Sequence, residues 1–197
     1  MIEHFLFDNV NEDYSNYFKI IELNKNQILF NEGERSNSIY LVLDGIINIS
    51  TLTLDSKEYV FNTLKKDDLF GDSLSFAKDN RYLGDGIAFT KTKIASISKD
   101  DFIHLLSNKT ILVNYLEYVS KRNMDTRFQI KLLSQQSIRD KILFYIKSKA
   151  INNVLYINSK EELSKELNIL RPSLSRELIK LKEDKIISYD KHKIKLL

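Results

Sequence analysis

The sequence predicts an α+β fold in three parts. Residues 1–108 read as a double-stranded, jelly-roll-like β-roll, residues 109–136 as a long helix, and residues 137–197 as a winged helix-turn-helix. Three observations carry this. Residues 19–97 break into short β-branched or aromatic runs punctuated by glycine, the pattern of a sandwich or barrel. Residues 109–133 contain neither glycine nor proline and repeat apolar side chains at heptad spacing. The remainder alternates helix caps, leucine-lined helical runs and a last pair of short strands.

Composition bounds the function. With 43% hydrophobic, 11% aromatic and 29% charged residues, the 197-residue chain can bury a core and is not of the disordered class. It has no run of about 18 apolar residues, so no transmembrane helix and no membrane partner are expected. The first residues carry acids where a signal peptide needs basic ones, which points to the cytoplasm. The absence of cysteine excludes disulfides, thiolate zinc sites, cysteine-ligated iron–sulfur clusters and thiol redox sensing. His4, His104 and His192 are too far apart for an HxH or HExxH motif, so each is expected at the surface or in packing. Neither a metal nor a cofactor is expected; His4 and His104 are weak candidates for a haem ligand.

The elements follow in order. KIIEL, QILF, SIYLVL, IINISTLTL, EYVFNTL, GIAF and KIASI supply strands. Asp44-Gly45 reads as a type I′ hairpin turn, which needs positive φ. Ser98 with Asp101 caps a helix whose apolar face is Phe102, Leu105 and Leu106. In the long helix, Leu112, Leu116, Val119, Asn123, Thr126, Ile130 and Leu133 alternate spacings of four and three, an a/d seam with a polar centre. About 25 helical residues span roughly 37 Å, more than a small domain covers at both ends. The seam therefore reads as a homodimer interface, and a helix packed on its own domain is the competing reading. Asn123 and Thr126 would set register and dimer state; they also stand where a ligand could touch both subunits.

Ser137 caps a helix over IRDKILFYIKSK, VLYIN is a short strand, and Ser159 with Glu162 opens the helix EELSKEL. Asn168-Ile169-Leu170 turns the chain, and Pro172, the only proline, suits the first turn of the next helix. IISYDKHKIKLL closes the chain as two strands around Asp190-Lys191-His192. Helix, short turn, helix and hairpin make a winged helix-turn-helix, whose second helix enters the major groove. In that helix Leu174, Leu178 and Leu181 would face the core. Arg171, Ser173, Ser175 and Arg176 would face DNA, where an arginine fork can bond guanine O6 and N7 together. Lys180, Lys182, Lys191 and Lys193 would neutralise phosphates. Charge agrees: residues 1–137 hold 16 basic against 19 acidic side chains, residues 138–197 hold 14 against 8. An ordinary solvated, lysine-rich surface is the bland reading of the same numbers.

At Arg171-Pro172-Ser173-Leu174-Ser175-Arg176-Glu177-Leu178 the chain resembles the recognition helix of the Crp–Fnr family of transcription regulators. The resemblance implies that Arg171, Ser175 and Arg176 hold base- and phosphate-contacting positions. Members with a glutamate after the first arginine read a base with it; Pro172 stands there, so the operator is expected to differ. Residues 28–45, ILFNEGERSNSIYLVLDG, are similar to the opening of the family's cyclic-nucleotide-binding β-roll, with Gly33-Glu34 starting a turn and Gly45 closing a hairpin. LFGDSLSF falls where the family carries its phosphate-binding cassette, and the long helix falls where it dimerises.

The cassette departs from the cyclic-AMP pattern, which implies Gly-Glu and then Arg followed by Ser or Thr, clamping ribose and phosphate. Here Gly71-Asp72-Ser73 is a shortened first part, Arg81 comes one position early, and Tyr82 takes the arginine's place. One step along a strand turns a side chain to the other face. Cyclic AMP is therefore not expected as effector, and cyclic GMP, needing the same clamp, fares no better. Candidate effector residues are Gly71, Asp72, Ser73, Arg81, Tyr82, Asn123 and Thr126, for another small molecule or for none.

The expected function is a homodimeric, sequence-specific DNA-binding transcription regulator on a palindromic operator, with half-sites about 34–36 Å apart. The resemblance adds RNA polymerase as a further partner, though no motif marks the surface. The rival is a small-molecule-binding regulatory subunit whose winged helix contacts protein. A cupin-like enzyme is disfavoured, since no metal cluster, nucleophile–base pair or glycine-rich phosphate loop has the required spacing.

Overall fold

The computed structural model describes residue 2, residues 4–53 and residues 55–197. The chain divides into two compact units, residues 1–118 and 119–197. The division falls inside the long helix, not at its start.

Among the described residues, the first unit holds eight strands: β1 Lys19–Leu23, β2 Ile28–Phe30, β3 Ser38–Asp44, β4 Ile46–Leu52, β5 Glu58–Lys65, β6 Leu69–Phe70, β7 Asp85–Ala88 and β8 Thr92–Ser98. They form two antiparallel four-stranded sheets, ordered β1-β8-β3-β6 and β2-β7-β4-β5. Successive side chains on a strand face opposite ways, and the first sheet is buried on both faces. Val42 and Ile94 join Phe30, Ile47, Leu64 and Ala88 in one core; their neighbours Leu41 and Ala95 join Phe102, Leu105 and Ile111 in another. The second core is roofed by a 3-10 turn over Phe5–Phe7, by α2 Lys99–Leu105 and by the start of α3 Lys109–Leu133. Ser98 caps α2 as expected, accepting from the Asp101 N–H at 3.1 Å.

Asp44-Gly45 does not make the expected hairpin. β3 pairs with β6 and β8 and β4 with β5 and β7, so these residues carry the chain from one sheet to the other. Only Gly45 takes positive φ, 86°. A Cβ there would stand 2.5 Å from the Lys91 carbonyl oxygen, so the corner needs glycine for space as well as for its dihedral. A two-residue turn signal cannot tell a hairpin from a change of sheet, because the deciding partners lie tens of residues away. Among the described residues, four elements are additional to the sequence reading: β6, the single-turn α1 Asp72–Ser75 and the 3-10 turns Phe5–Phe7 and Ser15–Tyr17.

The second unit contains α4 Ile138–Lys149, β9 Val154–Tyr156, α5 Lys160–Glu166, α6 Arg171–Glu183, β10 Ile187–Tyr189 and β11 Lys193–Leu196. The three strands form one antiparallel sheet, β10-β11-β9. Ser137 and Ser159 cap α4 and α5, each accepting from the N–H three residues on. Ile142, Ile146, Leu163, Leu174, Leu178, Leu181, Ile187 and Ile194 share one core, to which α3 contributes Leu132.

Candidate nucleic-acid interface and effector region

The second unit presents α6 as its sequence pattern implies. Leu174, Leu178 and Leu181 are fully buried at i, i+4 and i+7. Arg171 and Arg176 are exposed, and Ser173 and Ser175 are half-buried beside them. Pro172 sits in the first turn, where no intrahelical N–H bond is lost. Leu167 to Leu170 link α5 to α6, and Asn168 makes the bend at φ 50°, a conformation asparagine tolerates.

The outward side chains are weakly held. Arg176 Nη2 reaches only Ser173 Oγ, at 3.5 Å, and pairs with no carboxylate among the described residues. Arg171 Nε lies 3.8 Å from Glu161 Oε2, with both side chains more than half exposed. Such a pair contributes little and leaves the guanidinium available. Lys180 and Lys191 are exposed, with no ion pair among the described residues.

The β10–β11 turn is built by Asp190, whose Oδ1 accepts from the His192 N–H at 2.9 Å and the Lys193 N–H at 3.0 Å. These bonds, the His192 one foremost, hold its carboxyl below the usual range. Lys193 stays near this carboxylate at 3.6 Å, whereas Lys191 projects from the turn.

Two features of this face are not visible in sequence. Lys160 Nζ and Lys182 Nζ lie 4.7 and 5.6 Å from the Tyr189 ring centroid, so one aromatic positions two cations. Arg139 on α4 meets Asp184 at 2.6 Å and Glu177 at 3.8 Å, tying α4 to α6. Partners 45 residues apart leave no local signal.

The cassette region of the first unit behaves differently. Gly71 takes φ 81° ahead of α1, and a Cβ there would meet the Ser38 carbonyl oxygen at 2.7 Å. Asp72 is turned inward, 1% exposed, and accepts from the Tyr115 hydroxyl at 3.1 Å. Ser73 is exposed. Tyr82 is 5% exposed and lies face to face with Phe30, ring centroids 3.7 Å apart. Burial pushes its phenol above its ordinary value. Arg81, one step along, is exposed, and its Nη1 donates to the Gly33 carbonyl at 2.8 Å. The two neighbours thus face opposite ways, the aromatic to the core and the arginine to solvent, but not by strand alternation: Arg81 forms only an isolated bridge with Arg35 and Tyr82 lies outside any strand.

In the second unit, Asn123 and Thr126 are exposed on α3, and Thr126 Oγ1 donates to the Arg122 carbonyl one turn back at 2.9 Å. Along the seam Leu112 is exposed, Leu116, Ile130 and Leu133 are 52%, 62% and 50% exposed, and Val119 is half-buried.

Comparison with known proteins matches residues 20–109 to the cyclic nucleotide-binding domain family. The anaerobic regulatory protein of Bacillus subtilis (strain 168) is 23% identical over 181 residues, covering 86% of this chain and 75% of that protein. The catabolite activator protein of Thermus thermophilus superposes with a TM-score of 0.57 at 18% identity, covering 98% of this chain and 93% of that one. CprK complexed with OCPA superposes with a TM-score of 0.60 at 19% identity, covering 96% of this chain and 90% of that one.

Proposed function

We propose that this chain, a relative of the Crp–Fnr regulators with a cyclic nucleotide-binding domain over residues 20–109, is a homodimeric, sequence-specific DNA-binding transcription regulator that is not controlled by cyclic AMP. Its relatives are regulatory proteins and it is not an enzyme. We assign residues 1–108 to the roll, 109–136 to the dimer helix and 137–197 to the DNA-binding domain.

One observation carries the reading: α6 buries Leu174, Leu178 and Leu181 while Arg171, Ser173, Ser175 and Arg176 line its other side without strong partners. The N-terminal residues of such a helix read base edges, and arginine and serine are suited to that work. Lys180, Lys191 and Lys193 would meet phosphates, contributing affinity and salt dependence rather than sequence preference. The apolar row of α3 gives the two-fold contact that pairs two recognition helices. Against cyclic-nucleotide control stand the placements of Tyr82 in the core and of Arg81 on the surface. A cyclic phosphate brought inside would meet an aromatic ring where it needs a cation. Any effector is then a different molecule, acting by shifting the population of winged-helix placements.

The reading is tested by selecting bound duplexes from random DNA with purified protein and no added ligand, followed by sequencing. The expected product is a two-fold palindrome with half-site centres about one helical turn apart. Failure to enrich any sequence, both with purified protein and in cell extract, would favour a winged helix that contacts protein.

A further inference from the structure

The second unit has a groove that the DNA-binding reading does not use. It is an open groove between the C-terminal half of α3 and α4, with a volume of about 550 Å³. Its floor is apolar: Met124, Phe128 and Phe144, with the two phenyl rings stacked at 5.5 Å between centroids. Ile130 closes one edge, and Arg127 and Lys131 stand one turn apart on the rim. Neither rim cation has an ion pair among the described residues, and a third cation, Lys149 Nζ, lies 4.8 Å from the Phe128 centroid.

The groove borders the seam, sharing Ile130 with it. At 3.6 residues per turn, Met124, Arg127, Phe128 and Lys131 leave α3 roughly a third of a turn round from the seam. Phe128 also packs on the unit's own core, so the floor is held by the fold. Its volume falls within the range of small-molecule sites, about 300–1,000 Å³.

We propose that this groove binds an amphipathic carboxylate, a molecule with one anionic head and an apolar chain. The chain would cover Met124, Phe128 and Phe144, and the head would lie between Arg127 and Lys131, whose donors make charge-assisted bonds with a carboxylate. The proposal stands independently of whether the protein binds DNA.

The test is calorimetric titration of the full chain with decanoate and with decanol. One saturable decanoate site per chain is expected. Arg127→Gln with Lys131→Gln weakens decanoate by about tenfold or more and leaves decanol unchanged, since only the charged head loses its partners. Met124→Glu, at a position 65% exposed and so harmless to folding, weakens both ligands. Absence of saturable binding, or decanoate affinity unmoved by these variants, overturns the proposal. So does a Met124→Glu variant that changes the oligomeric state in sedimentation while leaving decanoate binding intact, which would make the groove a contact between copies.

Discussion

Helix α6 and the segment from Gly71 to Tyr82 both carry polar residues that resemble a family pattern, yet they place them in opposite ways. On α6 the arginines and serines lie on the exposed side, and the leucines beneath them fill the core. In the cassette region Asp72 is buried against Tyr115, Tyr82 is stacked on Phe30, and the one arginine bonds a carbonyl at the surface. Side chains that lack strong partners are ready for a ligand; side chains already bonded to the protein must first give up those bonds. The comparison teaches that the arginines of α6 stay available at the surface, while Asp72 and Tyr82 are already engaged by the fold.

The largest effect should come from returning the family's arginine to the cassette. Tyr82→Arg places a cation in an aromatic core without a partner, and unfolding by urea should show a loss of about 3–5 kcal/mol. Cyclic AMP should not restore the stability. Restoration would show that the rest of the cassette still forms a nucleotide site, and the contrast between the two regions would collapse.

A smaller effect is expected on α6. Arg176→Ala should weaken operator binding by about 1–3 kcal/mol and relax specificity at one base pair, read from a panel of single-base operator variants. Equal loss on every sequence would make Arg176 a phosphate contact. At the wing, Lys191→Ala should lower the slope of log affinity against log salt by about one, with little change in preference. An unchanged slope would remove the wing from the interface.

The smallest effect concerns His4 in the roll. Its Nδ1 accepts from the Leu6 N–H at 3.3 Å and its Nε2 donates to the Asp67 carbonyl at 3.1 Å, which fits the neutral ring. Burial lowers its pKa from 6.5, outweighing the Asp67 carbonyl bond and the charges of Asp67, Asp8 and Asp68. Below about pH 6.5 the unfolded chain binds a proton that the native ring resists. Its contribution is therefore complete above that pH and falls as the pH drops toward the lowered native value. Stability followed by urea unfolding between pH 7.5 and 5 should decline less in His4→Gln than in the parent protein; an identical decline would assign the dependence to other groups.

Much of this was legible where the signal is local. Ser98, Ser137 and Ser159 cap helices as read, because each bonds an N–H three residues on. The leucines of α6 are buried as their spacing requires, and the expected β-roll is matched by the cyclic nucleotide-binding domain family over residues 20–109. What was not legible depends on distant partners. Gly45 turns between sheets because β3 pairs with β8, and Asp72 is drawn inward by Tyr115 on α3. Arg139 is fixed by two acids on and after α6. The offset of Arg81 and Tyr82 was readable as a one-residue step, but the Phe30 ring that receives Tyr82 was not.

The most direct test is a titration of the purified, ligand-free protein against its selected operator and a scrambled duplex, with and without saturating cyclic AMP. The account predicts binding to the operator at least about 10³-fold tighter than to the scramble, unchanged by the nucleotide. Equal affinity for both duplexes, or operator binding that appears only with cyclic AMP, would contradict it.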